Sequence, residues 1–379
     1  MHAEHQLLNS ASPMVSFISH LAPSLTFNVT TEVAPLPLIS AVQGNSDFAW
    51  VFNPTFVPPT AGTGQRSGLL IRSQNCSVPT NRSAPGYCVQ CFGAGDDKAS
   101  FLTWAEIEES EGGAGPPTFT GRVSRASTVF GPFDCPTNAS AADCDTVKGA
   151  EDPRLTYNPE DGLYYLVYNA VGMQRVTISI ATSRDPTRRD GWTRHGEVFP
   201  GAGLRGYKSG AIVLRAAPSE HYLIWGCDKQ LRITPTIGRD LLRWDYNRSQ
   251  VLLSTRAAPF WDSSFVETAM PPLPLSTGDL LFFYNSLGHW NGETGFMPGW
   301  VVLSGTDPTQ VLGRATTPPL PYTLPWEKGN VPPWTCNCPL VSNLGGGHPI
   351  PGKKDEFRIY LGGADAVVGT ATVAVTSAS

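Results

Sequence analysis

Four side chains able to do chemistry stand at matching places in successive stretches of the sequence: Asn53, Asp152, Lys208 and Glu267. Each lies in a segment that a buried strand would otherwise fill with apolar residues. Asp152 belongs to the run Glu151-Asp152-Pro153-Arg154, which sets two carboxylates beside a guanidinium. Polar and ionisable groups converging in a concave site are the usual pattern of an active site. Two carboxylates, one protonated and one not, suit general acid–base work. A simpler reading pairs Asp152 with Arg154 and leaves Lys208 in solvent. The recurrence of a polar residue in repeat after repeat weighs against that reading for the set as a whole.

The segments that must position these residues form a loose repeat. After the polar segment comes a strongly hydrophobic one, and a third ends near an Asp followed by an aromatic. In the second repeat these are residues 151–155, 163–168 and 177–181, with Asp185 and Trp192. The Asn158-Pro159-Glu160-Asp161-Gly162 run between the first two has the composition of a hairpin turn. The first repeat uses Phe52-Asn53-Pro54, 69–72 and 101–106. The third uses 207–210, 221–225 and 231–234, and the fourth 265–267, 279–284 and 300–304. A fifth runs from Val331, through Trp334, to 357–361 and closes at 371–375. Five repeats of three or four strands predict an all-β, five-bladed β-propeller, because one blade cannot bury both its faces alone. First strands line a propeller's channel, so the four polar residues would meet at one mouth. Residues 1–40 read as an N-terminal segment able to pack on the propeller, and 41–379 as the propeller, with a Cys-rich insertion around 107–148.

Composition excludes several classes. Of 379 residues, 38 are Gly and 34 are Pro, too many for sustained helical periodicity. The apolar share of 41% supports a large core, and the 16% charged share argues against disorder. A net charge of −5 without a basic stripe makes nucleic acid a poor partner. No unbroken apolar run is long enough for a helical membrane span. Eight cysteines and five N-x-S/T sequons (at Asn28, Asn75, Asn81, Asn138 and Asn247) point to disulfides, glycosylation and a secretory or lumenal setting. The first 24 residues make an unconvincing signal peptide, lacking a basic start. Cys88-x-x-Cys91 and Cys336-x-Cys338, with His348 nearby, lie too far apart in sequence for a usual zinc site. Gly201-x-Gly203-x-x-Gly206 matches a dinucleotide fingerprint, but a strand rather than a helix should follow it.

At Gly149-Ala150-Glu151-Asp152-Pro153-Arg154 the chain resembles glycoside hydrolase family 130, five-bladed propellers that cleave or phosphorolyse β-mannosides. Phe52-Asn53-Pro54 with Leu69-Leu70-Ile71-Arg72, Lys208-Ser209-Gly210-Ala211 and Met270-Pro271-Pro272-Leu273 resemble further family motifs in the same order. So do Gly329-Asn330-Val331-Pro332 and the stretch from Tyr360 to Asp365. The resemblance implies that Asp152 is the general acid and that Asn53, Arg72, Lys208 and Asp365 hold the mannose. Glu151 and Arg154 join the binding set. Arg72 and Arg154 can hold hydroxyls or depress carboxylate pKa values, while burial would raise that of the acid.

Departures from the pattern bear on the acceptor. The positions where family phosphorylases carry phosphate-binding side chains fall on Tyr284-Asn285-Ser286, Phe296-Met297 and Trp225-Gly226-Cys227, which lack the histidine and arginines. Glu267 falls where family hydrolases carry a glutamate able to activate water, with Glu327 a second candidate. The expectation is an inverting, exo-acting β-mannosidase with an oligosaccharide substrate and no metal or organic cofactor. The alternatives are a β-mannoside phosphorylase or mannosyltransferase, or a non-catalytic carbohydrate-binding propeller.

Overall fold

The computed structural model describes residues 26–74, 99–113, 115–132, 146, 148–172, 175–204, 206–329 and 340–378. Nearly all of its regular structure is strand. The first sheet is a meander of β2 (Trp50–Val57), β3 (Gly68–Gln74), β4 (Phe101–Glu106) and β5 (Thr128–Phe130), preceded in sequence by β1 (Thr26–Val33). The second runs β6 (Gly149–Asn158), β7 (Leu163–Val171), β8 (Val176–Ser183) and β9 (Trp192–Glu197). The third contains β10 (Gly210–Val213), β11 (Tyr222–Trp225), β13 (Gln230–Ile237), β14 (Asp240–Trp244) and β15 (Gln250–Ser254). Between β11 and β13, the two-residue β12 (Cys227–Asp228) crosses to pair with β16 (Phe265–Thr268).

The remaining strands form one ten-stranded sheet rather than two separate ones. One part holds β16, β17 (Leu273–Pro274), β18 (Leu280–Trp290), β19 (Glu293–Leu303) and β20 (Val311–Arg314). The other holds β21 (Leu340–Pro349), β22 (Glu356–Gly363), β23 (Val367–Ala378) and, at its edge, β1. A two-residue parallel contact joins them, Gly295 with Leu340 and Phe296 with Val341. Elsewhere every pairing between strands is antiparallel, so five antiparallel groups can be distinguished. The first and last strands pair over eight residues, from Thr26 opposite Ala378 to Val33 opposite Ala371. Thus the two ends of the described chain are tied together.

Strands form where β-branched and aromatic residues recur, and most are buried on both faces. β7 reads Leu-Tyr-Tyr-Leu-Val-Tyr-Asn-Ala-Val, and all but its first residue are buried. Burial of this kind is worth about 25 cal/mol per Å² of apolar surface, the main drive for stacking the sheets. The buried side chains fall into four clusters lying within and between sheets. β2 packs against β6 and β21, and β10 packs against β6, so the opening strands of different groups lie side by side.

Where the reading from sequence placed the fifth repeat's first segment at Trp334, the ladder begins at β21; Trp334 lies outside the described residues. The glycine fingerprint leads into β10 and no helix, as its context required. Of the cysteines only Cys227 is described, a free, half-buried thiol; the other seven, and the sequons at Asn75, Asn81 and Asn138, lie outside the described residues. Asn28 and Asn247 are exposed. Among the described residues no helix is long and apolar enough to cross a membrane, and no group of three or more His, Cys, Asp or Glu could hold a metal ion.

Candidate active site

Asn53 and Asp152 stand on the same local device in different sheets. Each lies in a strand at a bulge, where the register slips between Phe52 and Thr55 in one case and Glu151 and Arg154 in the other. Each has left-handed backbone, with φ of 45° and 48°, and each is followed by proline. Asn and Asp tolerate this region better than other side chains. The proline removes an N–H that the bulge could not pair. The device turns a strand residue out of the ladder and aims its side chain at its neighbour: Asn53 Nδ2 donates to Asp152 Oδ1 at 2.7 Å. Gly362 in β22 makes this possible, because a Cβ there would lie 2.7 Å from both Asn53 N and Asn53 Oδ1.

Arg72, from β3, joins both acidic residues of β6. Its Nη1 donates to Asp152 Oδ1 at 3.0 Å and its Nη2 to Glu151 Oε1 at 2.6 Å, with all three side chains buried. The guanidinium lies over the Phe52 ring, 4.7 Å from the centroid, which fixes its plane. Ser100 also donates to Glu151 Oε1 (3.0 Å) and is itself bonded by Gln74. It is therefore Arg72, not Arg154, that pairs with Asp152. Arg154 donates to the carbonyls of Pro153 (3.1 Å) and Thr268 (3.5 Å), and its buried Nε has no partner.

Glu267 arrives from β16 and is buried. Ser209 Oγ donates to its Oε1 at 2.7 Å, and the half-buried Lys208 Nζ lies 3.9 Å from the same oxygen. Ser209 has φ of 63° and so turns left-handed just before β10. Asp365 occupies the turn between β22 and β23, where Ala364 and Asp365 both have positive φ (53° and 49°) and Ala366 N closes on Gly363 O. Part of its surface stays open. Positive φ at both central residues is the geometry of the tight hairpin turn that suits twisted strands. The charges of Asp152, Glu267, Arg72 and Lys208 all act on Asp365. Glu151, Asp152, Arg72, Arg154, Lys208, Glu267 and Asp365 therefore share one electrostatic cluster, with Asn53 bonded into it, supplied by β2, β3, β6, β16, the approach to β10 and one turn.

Two sets of forces compete here. Burial pushes every carboxyl up, yet at Asp152 the guanidiniums of Arg72 and Arg154, the Lys208 ammonium and the Asn53 amide prevail and hold it well below the usual carboxylate range. At Asp365 burial wins, helped by the neighbouring Asp152 carboxylate, and the group is pushed up to about 6. Burial likewise raises Glu151 despite Arg72. The Glu267 and Asp152 charges raise Lys208 against its own burial, and it stays cationic. The expected elevation of the acid's pKa is thus absent at Asp152 and present at two of its neighbours.

Sequence reasoning missed two participants. Asn169, near the end of β7, donates from Nδ2 to Asp152 Oδ2 (2.8 Å). Ser209 lay inside a motif but had no role assigned. An asparagine interrupting an apolar run was the available signal. Glu327 lies apart: it is fully buried on a short helix (Pro325–Lys328), where Oε2 accepts from the Thr323 and Leu324 amides. Tyr284 and Asn285 are engaged structurally. Tyr284 OH donates to Asp262 (2.7 Å) and accepts from Arg314 (3.2 Å), while Asn285 pairs with the Leu344 backbone.

Comparison with known proteins now places this arrangement in a class. The sequence pattern of glycoside hydrolase family 130, described as beta-1,4-mannooligosaccharide phosphorylase, matches residues 138–377, more than half of the chain. The chain belongs to glycoside hydrolase family 130, a family of carbohydrate-active enzymes. A 1,2-beta-oligomannan phosphorylase from Thermoanaerobacter sp. (strain X514) is 26% identical over 253 residues, 66% of this chain and 76% of that protein. The beta-1,2-mannobiose phosphorylase of Listeria innocua, solved with beta-1,2-mannobiose, has a TM-score of 0.65 at 17% identity, covering 91% and 96% of the two chains. A structure reported with family 130 glycoside hydrolases that target beta-1,2 mannosidic linkages in Candida mannan has a TM-score of 0.64 at 21% identity, covering 91% and 93%. At such identities the structures speak for the shared all-β fold.

Proposed function

We propose that this chain cleaves β-linked mannosides with inversion, at a site where its five antiparallel groups close as the blades of a propeller. The closure is supported by the side-by-side packing of β2, β6, β10 and β21 and by the pairing of β1 with β23. The observation that carries the function is the meeting of Asp152 and Glu267, from different sheets, in one buried network that contains the family's Glu-Asp-Pro-Arg run. Asp152 is the acid toward the leaving oxygen, and Glu267 activates the attacking group across the sugar ring. Asn53, Arg72, Lys208 and Asp365 hold the sugar, with Glu151 and Arg154 completing the binding set and balancing charge. Held well below the usual carboxylate range, Asp152 favours its charged form, so protonation must be driven by substrate binding. A sugar that draws hydrogen bonds from Arg72 and Asn53 and excludes water weakens what keeps Asp152 charged. Asp365, pushed up to about 6, is the more readily protonated carboxyl in the same cluster.

Geometry favours water as the acceptor. Four carboxyl groups (Glu151, Asp152, Glu267, Asp365) face three cations (Arg72, Arg154, Lys208), an unfavourable surplus for an incoming phosphate dianion. The hydroxyl of Tyr284 and the amide of Asn285 are already committed. The named relatives favour phosphate instead: both the family description and the Thermoanaerobacter protein are phosphorylases. Incubation with β-1,2- and β-1,4-mannobiose, with and without phosphate, separates the two. Release of mannose without phosphate supports hydrolysis. Strict dependence on phosphate with mannose 1-phosphate as product establishes the second reading. In either case Asp152→Asn should lower kcat by about 10²–10⁴-fold with the fold intact. Sugar binding without turnover would make this a binding propeller.

We also propose an oxidising, lumenal setting, on the strength of eight cysteines and five sequons. Mass measurement before and after reduction and deglycosylation tests it; eight free thiols and no glycan would refute it.

A further inference from the structure

The two carboxylates of the proposed reaction are joined by hydrogen bonds that the reaction itself does not require. Asn169 Nδ2 donates to Asp152 Oδ2 at 2.8 Å, and Asn169 Oδ1 accepts from the Ser209 backbone N–H at 2.7 Å. Ser209 Oγ then donates to Glu267 Oε1 at 2.7 Å. Asp152, Asn169, Ser209 and Glu267 are all buried, and Asn169 and Ser209 almost completely. An ionised carboxylate only accepts and a backbone N–H only donates, so the orientation of the Asn169 amide is set from both sides. Ser209 holds its place at φ of 63°, strained for a residue other than glycine, while its carbonyl accepts from Gly226 N (2.9 Å). An apolar residue would fill the Asn169 position in β7 without any need for partners. The chain crosses from the second sheet to the fourth by way of the third, and ends on a carboxylate at each side.

We propose that Asn169 and Ser209 are positioning residues, a rigid bridge that fixes the separation and orientation of the Asp152 and Glu267 carboxylates. This rests on the assignment of acid and base above. Asp152 is faced besides by Arg72 from β3, Glu151 and Arg154 from β6, Lys208 from before β10 and Asp365 from the β22–β23 turn. Glu267 is faced by Lys208, Arg154, Asp365 and Cys227. Against that fixed background, loss of the Asn169 bond removes a donor that favours charged Asp152, and loss of the Ser209 bond frees the Glu267 carboxylate to turn.

The test is kcat and KM across pH for Asn169→Ala, Ser209→Ala and the double variant, on whichever β-mannobiose the wild type cleaves. Each single variant should lose about ten- to a hundred-fold in kcat with KM within about three-fold, as small misplacements of reacting groups do. The pH limb governed by Asp152 should move up in Asn169→Ala. The double variant should be no worse than the poorer single one, because a bridge breaks only once. Ser209→Ala keeps the backbone N–H to Asn169, so it decides the matter alone if Asn169→Ala fails to fold. Carbon NMR titration of Asp152 needs no turnover: it must titrate higher in Asn169→Ala. An unmoved titration with wild-type kcat, or losses that multiply in the double variant, overturn the bridge. A wild type inert on every β-mannoside, with a titration that does move, would instead sink the functional reading and leave the bridge standing.

Discussion

Left-handed backbone at Asn53, Asp152, Ser209 and Asp365 costs of order 1–3 kcal/mol at each residue, and it persists only where surrounding structure enforces it. Here the strain coincides with Asp152, with donors to Asp152 and Glu267, and with the turn at Asp365, which supports reading these residues as a constellation rather than as isolated surface groups. Asp365 has no hydrogen bond among the described residues to offset its burial, and its pKa rises from 3.8 to about 6. A carboxyl that is harder to ionise in the folded state than in the unfolded one favours folding at low pH. That contribution is lost as pH climbs from the unfolded value through the folded one. Asp365→Asn should therefore raise the melting temperature at pH 7.5, by up to about 3 kcal/mol of stability, and change little at pH 3.5. Thermal melts at the two values check this, and equal effects at both would contradict it. Arg72 is different in kind. It is buried between two carboxylates, and the attraction it exerts keeps Asp152 charged. The polar recurrence in the sequence was enough to pick out Asn53, Asp152, Lys208 and Glu267. The winner between burial and Arg72 at Asp152 was not legible there, because it depends on distances between strands far apart in sequence.

At the scale of elements, the site depends on bulges and close backbone approaches as much as on strands. Gly362→Ala would force a methyl group against Asn53 N and Oδ1, both 2.7 Å away. We expect a loss of about 1–3 kcal/mol in stability and a fall in kcat as Asn53 swings off Asp152. Melting and kinetics of that variant read both effects; wild-type values would show that β22 does not position Asn53. The apolar runs made β3, β4, β7, β8 and β18 plain from sequence. β21 escaped because its centre is Gly345-Gly346-Gly347, with no hydrophobic pattern to read. Those glycines let it lie against β2, where a Cβ at Gly346 would meet Phe56 N at 2.3 Å. Asn169 escaped for the opposite reason, hidden in the strongest apolar run of its sheet.

At the scale of the whole molecule, the expectation of separate blades was met by three groups of strands, while the last two share one ten-stranded sheet through the β19–β21 contact. The proposed closure would rest on β1, which covers the edge of β23 along eight residues and buries Phe27. Removing residues through Val33 would leave that edge unpaired, so the melting temperature should fall by about 5 °C or more and self-association should appear. An unchanged melt by calorimetry, with a monodisperse sample, would show that the chain ends are not what holds the groups together. Above all, the proposed function requires the fold to bring Asp152 and Glu267 to opposite sides of one bound sugar. Proton NMR of the first product formed from a β-mannobiose tests that most directly. Inversion predicts that α-mannose, or α-mannose 1-phosphate when phosphate is the acceptor, appears before any β-anomer. Initial release of the β-anomer would contradict it.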